Sequence, residues 1–300
     1  MLTEGIVLID KPAGQTSFQS LGALKQALGT RRVGHAGTLD RFAEGLLVVL
    51  AGRMTRLCPL ATSLDKEYVA AFRFGQETDT LDPEGSVIGQ GPVPSRRDIE
   101  QALEGFRGII QQVPPAYSAI HVSGRRASEA ARNGEEVELK PRTVTVYRLE
   151  LMSFEPPEAT FRISCSKGTY VRSLARDLGR SLGSRAHVRA LRRTRIGGFR
   201  VEEAHRPEAF RAADHLLPPS AFFSAVPTLT RLCVLTRWNA AVSQGARLSP
   251  EMFEDPPDSE GIFGAFSSED RLLAVIERRD GRLQYLAAFP ELPAAAARLP

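Results

Sequence analysis

The first apolar run, Gly5-Ile6-Val7-Leu8-Ile9, is continuous rather than alternating, which predicts a strand buried on both faces. Asp10-Lys11-Pro12 and Gly14 close it. Thr16 or Ser17 then caps a predicted helix with Phe18, Leu21, Leu24 and Leu28 on one face, stopped by Gly29. Residues 46–50 predict a short strand that ends at Gly52. From Tyr68 the period falls to two. Tyr68, Ala70, Phe72 and Phe74 share one face of a strand, with Val69, Ala71 and Arg73 on the other. Residues 75–85 read as a polar loop, and Ser95 with Asp98 as a capping box before a helix that turns Ile99, Leu103 and Phe106 inward. Pro114-Pro115-Ala116-Tyr117-Ser118-Ala119 opens another predicted strand, followed by a cationic turn and helix with Arg125, Arg126 and Arg132. Residues 143–152 alternate as a strand, and Phe161, Ile163 and Cys165 line one face of the next. Tyr170 starts a helix with Val171, Leu174, Leu178 and Leu182 inward, and residues 186–199 return to a basic, strand-like pattern.

Pro207, Pro218-Pro219 and Pro227 mark a helical spacer and then a boundary, which divides the chain into 1–227 and 228–300. Beyond it, Trp238 and Val242 predict a short helix ending at Gly245. Residues 261–267, 272–278 and 283–289 predict short strands, the last two joined by an Asp280-Gly281 hairpin turn. The Ala- and Pro-rich end after Pro293 is expected to fray.

Composition adds limits. The 300 residues suffice for one large domain plus a small one, and 42% hydrophobic with 25% charged residues is ordinary for a soluble globular chain. No apolar run approaches the ~20 residues of a membrane span. Met1 leads almost at once into a strand pattern with no signal-peptide layout. Cys58, Cys165 and Cys233 are scattered, which fits a reducing compartment rather than a disulfide frame or zinc site, so the expected location is the cytoplasm. Net charge is only +4, but it is unevenly spread. Between Cys165 and Phe199 nine cations face one acid, Asp177, a local net of +8; residues 249–300 hold ten acids and five arginines. An arginine block without interleaved acids suits phosphate forks and base stacking, hence a polyanionic partner.

The candidate chemistry lies in Arg31-Arg32-Val33-Gly34-His35-Ala36-Gly37-Thr38-Leu39-Asp40-Arg41. One carboxylate, Asp40, follows a Gly-Thr-Leu turn inside a frame of arginines, which fits a nucleophile facing a polyanion and equally a turn-former or helix N-cap. Arg172 near a helix N-terminus runs against the helix dipole and calls for a nearby anion; a phosphate clamp is the other reading. No Walker loop, dinucleotide fingerprint or metal-spaced His/Cys set is present in the sequence.

Gly34-His35-Ala36-Gly37-Thr38-Leu39-Asp40 closely resembles the GHxGTLDPxAxGxL signature of the TruB-type tRNA pseudouridine-55 synthases. Four further segments match that family in order: Asp10-Lys11-Pro12 with Gly14 and Thr16-Ser17, the 75–85 loop, Pro114 to Ala119, and Cys165-Ser166-Lys167-Gly168-Thr169-Tyr170-Val171-Arg172. The resemblance covers roughly residues 5–227. It implies an α+β fold: a mixed, largely antiparallel central sheet flanked by helices, crossed by an RNA cleft. A small β-rich C-terminal unit of the PUA kind follows. It implies Asp40 as nucleophile, held ionised by Arg172, on a uridine flipped from the T-loop of tRNA. Tyr68 would stack on that base, with core packing as its other reading, and Tyr170 would assist proton transfer. Leu191 would line the base pocket, His35 would fill the vacated space or contact the loop, and Lys11 would supply charge near the site. Arg125, Arg126, Arg132, Lys167, Arg189, Arg192 and Arg193 would hold phosphates. No cofactor, metal or obligate protein partner is implied, and a monomer is expected. Arg41 stands where the family has proline, Glu44 where it has a small polar residue, and Ser128 where it has an aromatic. Two other readings compete: a non-catalytic RNA-binding protein on the same scaffold, which has no need of Asp40, and a carboxylate-dependent hydrolase, which needs a second acid such as Glu44 or Asp82.

Overall fold

The computed structural model describes residues 4–118, 139–226 and 228–290, with the backbone alone at 121–122 and 125–126. Its strands, in chain order, are β1 (Gly5–Lys11), β2 (Val33–His35), β3 (Glu44–Ala51), β4 (Lys66–Phe74), β5 (Gln76–Thr78), β6 (Val87–Gln90), β7 (Gly108–Gln112), β8 (His121–Val122), β9 (Arg125–Arg126), β10 (Arg142–Glu155), β11 (Glu158–Cys165), β12 (Ala186–Ile196), β13 (Phe199–Arg200), β14 (Leu229–Cys233), β15 (Gly261–Phe266), β16 (Leu272–Arg279) and β17 (Arg282–Ala288). The unbroken apolar runs of β1 and β3 are buried on both faces, as such runs require. They pair with each other and lie at one end of the main sheet, whose order is β1-β3-β12-β4-β11-β10-β7. β3 runs parallel to β12, and every other neighbouring pair along that order is antiparallel. The expected α+β class, a mixed and largely antiparallel sheet flanked by helices with a β-rich C-terminal unit, is the architecture found.

Gly45 makes the parallel β3–β12 contact possible. Its φ is +103°, and a β-carbon there would lie 2.3 Å from the Arg193 carbonyl oxygen. The strict alternation of β4 buries Lys66, Tyr68, Ala70, Phe72 and Phe74 on one face. On that face they join Phe161, Ile163 and Cys165 from β11 and Val171, Leu174 and Leu178 from the helix α4 defined below. The helices that bear on the site are α1 (Leu21–Leu28), α2 (Cys58–Ser63), α3 (Arg96–Ala102) and α4 (Val171–Ser181). Ser95 and Asp98 form the expected capping box on α3. Strands β14 to β17 form a separate sheet whose Phe266, Leu272, Val275 and Ala287 share one apolar cluster with Ile6, Leu8 and Leu46 of the main sheet. The C-terminal unit is therefore joined to the larger one through a common core.

Four readings of the pattern are corrected. Helix α1 begins at Leu21, and Phe18 sits in the preceding turn, 71% exposed; the expected Thr16 cap serves that turn, its Oγ1 accepting the Gln19 N–H at 3.2 Å while Gln19 Oε1 accepts the Thr16 N–H at 2.8 Å, and Ser20 at the helix start makes no side-chain cap. Pro114 to Ser118 is irregular rather than a strand, since two successive prolines supply no ladder N–H groups. The polar loop at 75–85 contains β5, which pairs with β6. Strand β14 escaped the pattern because Thr230 and Arg231 together interrupt its alternation. Arg132, Gly134, Ser128 and the chain end after Pro293 lie outside the described residues, as do the side chains of Arg125 and Arg126. Among the described residues no helix is long and apolar enough to cross a membrane.

Candidate active site

Asp40 ends a loop that leaves β2 and returns into β3. The loop is fixed from behind. Ser17, buried, accepts the Leu39 N–H at 2.9 Å and donates to the Leu39 carbonyl at 3.1 Å. On the other side, the Gly14 N–H donates to the Arg41 carbonyl at 2.8 Å, and Arg41 Nε donates to the Gly14 carbonyl at 3.0 Å. The carboxylate between these anchors has little freedom.

Arg172, at the first turn of α4, meets it from across the sheet. Arg172 Nε lies 2.9 Å from Asp40 Oδ2, and Nη2 donates to Oδ1 at 3.2 Å, a bidentate pair. The remaining donors reach the Thr80 carbonyl at 2.8 Å, the Tyr117 carbonyl at 2.9 Å and Asp82 Oδ2 at 3.4 Å. The guanidinium side chain is 5% exposed and the Asp40 side chain 39%. Asp40 therefore opens to water on one side only. That poor hydration pushes its pKa above the ordinary carboxylate value, and Arg172 opposes the rise without cancelling it. Asp82 is the other acid on this guanidinium. It is buried, and its Oδ1 accepts from Thr80 Oγ1 at 2.6 Å and the Glu84 N–H at 3.0 Å. Sequence reasoning weighed Asp82 only as a hydrolase acid; its place in the Thr78-Asp79-Thr80-Leu81-Asp82 match was the available signal.

The pair lies in a cleft of about 710 Å³ lined by Asp40, Lys66, Tyr68, Tyr170, Leu191 and Arg193 among others. Tyr68 and Arg193 occupy paired positions on β4 and β12. Burial and the nearby Arg193 act in opposite directions on the Tyr68 phenol, and burial wins, so its pKa is raised. Lys66 donates to the Thr62 carbonyl at 2.6 Å, and burial lowers its pKa to about 8. Lys11 is buried behind the loop, where it donates to the Gln15 carbonyl at 2.7 Å and the Pro12 carbonyl at 2.9 Å; burial lowers its pKa to about 8 against the pull of Asp40. Tyr170 caps α4 and is clasped by Gln112, which accepts its N–H at 2.8 Å and donates to its carbonyl at 3.1 Å.

The structure thus brings Asp40, Arg172, Tyr68, Tyr170 and Leu191 to one cleft. It treats the expected phosphate-binding cations differently. Lys167 is exposed at the cleft and Arg189 is exposed on β12. Arg192 is engaged by Asp10 at 3.1 Å and Glu44 at 3.3 Å. Arg193 is a correction: at 1% exposure it cannot reach a phosphate, and it donates instead to the Leu46 carbonyl at 2.8 Å and the Gly37 carbonyl at 3.0 Å. Its position on the inward face of β12 puts it under the Asp40 loop. His35 lies in β2, outside the residues that line the cleft, with Nδ1 buried and unpartnered. Exposed Arg142 at the cleft was missed, because it stands outside the 165–199 arginine block and outside every family-like segment.

A sheet of this order carries a cation-walled cleft with one carboxylate gripped by a buried guanidinium. The overall fold is similar to that of a chain from the crystal structure of a Cbf5-Nop10-Gar1 complex. The TM-score is 0.71 at 26% identity, covering 97% of this chain and 84% of that one. The fold and the chain's relatives make this a pseudouridine synthase, an isomerase. Residues 25–171 match the model of the TruB family pseudouridylate synthase N-terminal domain, and residues 172–217 that of the tRNA pseudouridylate synthase B C-terminal domain. Relatives called tRNA pseudouridine synthase B include one from Thermobifida fusca (strain YX), 39% identical over 298 residues, covering 96% of this chain and 99% of that protein. Another, from Borreliella burgdorferi (strain ZS7), is 49% identical over 206 residues, covering 68% of this chain and 73% of its own. The chain belongs to the TruB family.

Proposed function

We propose that this protein isomerises uridine 55 in the T-loop of tRNA to pseudouridine, with Asp40 as the nucleophile on a flipped-out base. The observation that carries the reading is the bidentate Arg172–Asp40 pair facing an open cleft. The reaction breaks the N1–C1′ bond and joins C5 to C1′; C5 loses its proton and N1 gains one. A carboxylate attacks only when ionised. Poor hydration at the cleft floor works against ionisation, and the guanidinium limits that effect. Asp40 is thus basic for a carboxylate, which favours attack, and Arg172 favours its charged form.

The base leaves its stack at a cost of a few kcal/mol. Tyr68 recovers part of this by stacking, ~1–3 kcal/mol, and Leu191 supplies apolar contact. Tyr170, with its phenol pKa raised by burial, is a protonated phenol at neutral pH and serves as a proton donor or relay. Lys11 adds positive charge behind Asp40. Lys167, Arg189 and Arg142 face the phosphates, with Arg125, Arg126 and Arg132 in the same role. His35 contacts the loop. The same reading has the chain acting as a monomer in the cytoplasm without an obligate protein partner, divided at residue 227 into a catalytic part and a PUA-like part.

The hydrolase reading is disfavoured because both oxygens of Asp82 already accept hydrogen bonds. The test is tritium release from tRNA labelled at uridine C5. Release by the native protein, none by Asp40→Asn, and equal RNA affinity for the two are expected. Free uracil as product would support the hydrolase, and RNA binding without release the non-catalytic reading.

A further inference from the structure

Phe18 belongs by pattern to the core face of α1, yet the structure leaves it 71% exposed. Its neighbours explain where it stands. Ser17 clamps Leu39 through both main-chain groups, and Gly14 exchanges hydrogen bonds with Arg41. Residues 14–17 are therefore attached on both sides of Asp40, and Phe18 is the next residue out. It marks the rim of the Asp40 loop.

The ring is not bare on both sides. The Lys25 ammonium lies over it, 4.5 Å from the centroid. Among the described residues Lys25 has no carboxylate partner. An open aromatic face backed by an uncompensated cation fits one kind of occupant: a nucleotide whose base stacks on the ring and whose phosphate meets the ammonium. A buried apolar partner would have no use for Lys25, and a purely ionic one no use for Phe18. Exposed Arg31 and Arg32 follow just beyond the end of α1 in the chain.

We propose that Phe18 and Lys25 form a stacking subsite for an RNA nucleotide next to the one held at Asp40. The proposal rests on the RNA reading above and deepens it. It assigns to this exposed turn the task of holding the strand once the target base has left the stack. The neighbouring base then loses one stacking partner and gains another, Phe18.

The test uses the full-length protein and a fluorescein-labelled T-stem-loop RNA. Phe18→Ala and Phe18→Leu are each expected to weaken Kd about tenfold, a loss of about 1.4 kcal/mol. In tritium release, kcat/KM should fall by the same factor, carried by KM. Phe18→Trp should keep Kd within about twofold of the native value, and its added indole emission should be quenched by the RNA. Native affinity in Phe18→Ala overturns the proposal. So does full rescue by Phe18→Leu, since apolar cover would then suffice, or a fall in melting temperature that accounts for the lost affinity. Binding is measured in the Asp40→Asn background, where no turnover is expected, so absence of tritium release from the native protein would sink the isomerase reading and leave this subsite standing.

Discussion

Arg172 and Asp40, 132 positions apart in the chain, meet through two contacts of 2.9 and 3.2 Å, while a third edge of the same guanidinium holds Asp82 at 3.4 Å. One cation thus serves two carboxylates of unlike exposure. The inner acid, Asp82, fixes the guanidinium in place, and the outer one, Asp40, is left facing the cleft. The pair is built by tertiary structure alone: α4 contributes one partner and the loop before β3 the other.

Arg172→Lys keeps the charge and loses the fork. An ammonium on a flexible stem cannot serve both acids and two carbonyls at once. Two charge-assisted hydrogen bonds at ~1.5–3 kcal/mol each are at stake, and a lysine recovers one of them. The expected outcome is a fall of about 10- to 100-fold in the single-turnover rate of tritium release, with the protein still folded. A rate within twofold of native would show that bidentate geometry is irrelevant.

The pH dependence follows from the shifted groups. Asp40 is protonated more readily in the folded protein than in the unfolded chain, so activity should rise with pH through a midpoint above 3.8. Lys11 and Lys66 lose their protons near pH 8, which should bring the rate down again on the alkaline side. The stability sign is opposite to the usual carboxylate case. A raised folded-state pKa contributes stability at low pH that is lost as pH rises through that value. Asp40→Asn, though expected to be inactive, should therefore show no loss of melting temperature at pH 7. A lowered Tm in calorimetry would mean that the Arg172 contact outweighs the cost of desolvation.

Much of this site could be read from the chain, for reasons that differ by residue. Alternation placed Tyr68 on the inward face of β4, because strand period fixes facing directly, whereas Leu191 was marked only by the family resemblance. Asp40 and Arg172 were marked by charge context within the two strongest family-like segments. Phe18 failed because helical spacing extends naturally to i−3, while the helix begins only at Leu21, after a turn that the Ser17–Leu39 clasp ties to the Asp40 loop. Arg193 failed because charge suggested a surface; its burial depends on three partners from elsewhere in the chain, Leu46, Gly37 and Tyr68.

That clasp makes its own prediction. Ser17→Ala leaves the Leu39 N–H and carbonyl buried without their partner, at a cost of ~1–3 kcal/mol. Because Leu39 adjoins Asp40, the proposed nucleophile, the loss should appear in rate as well as stability. A lowered melting temperature and a several-fold drop in kcat with little change in RNA affinity are expected. Ser17→Thr, which keeps the hydroxyl, should recover part of both. A variant that melts early but turns over normally would detach the clasp from the positioning of Asp40.

Lys167 and Arg193 carry the same formal charge and should respond oppositely to mutation. Lys167 is exposed at the cleft. Each phosphate contact removed should reduce the slope of log K against log salt by ~0.7–0.9. Lys167→Ala is therefore expected to flatten that slope by about one contact and to leave stability within ~0.5 kcal/mol of native. Arg193 is enclosed beneath the Asp40 loop, where it satisfies two carbonyls. Arg193→Met should leave the slope alone, since counterions do not reach the residue, and should destabilise the fold by ~2–4 kcal/mol through the two orphaned acceptors. Titration of RNA binding from low to moderate salt, paired with urea melts, separates the two effects. A salt slope reduced by Arg193→Met in a protein of native stability would return Arg193 to the set of phosphate contacts.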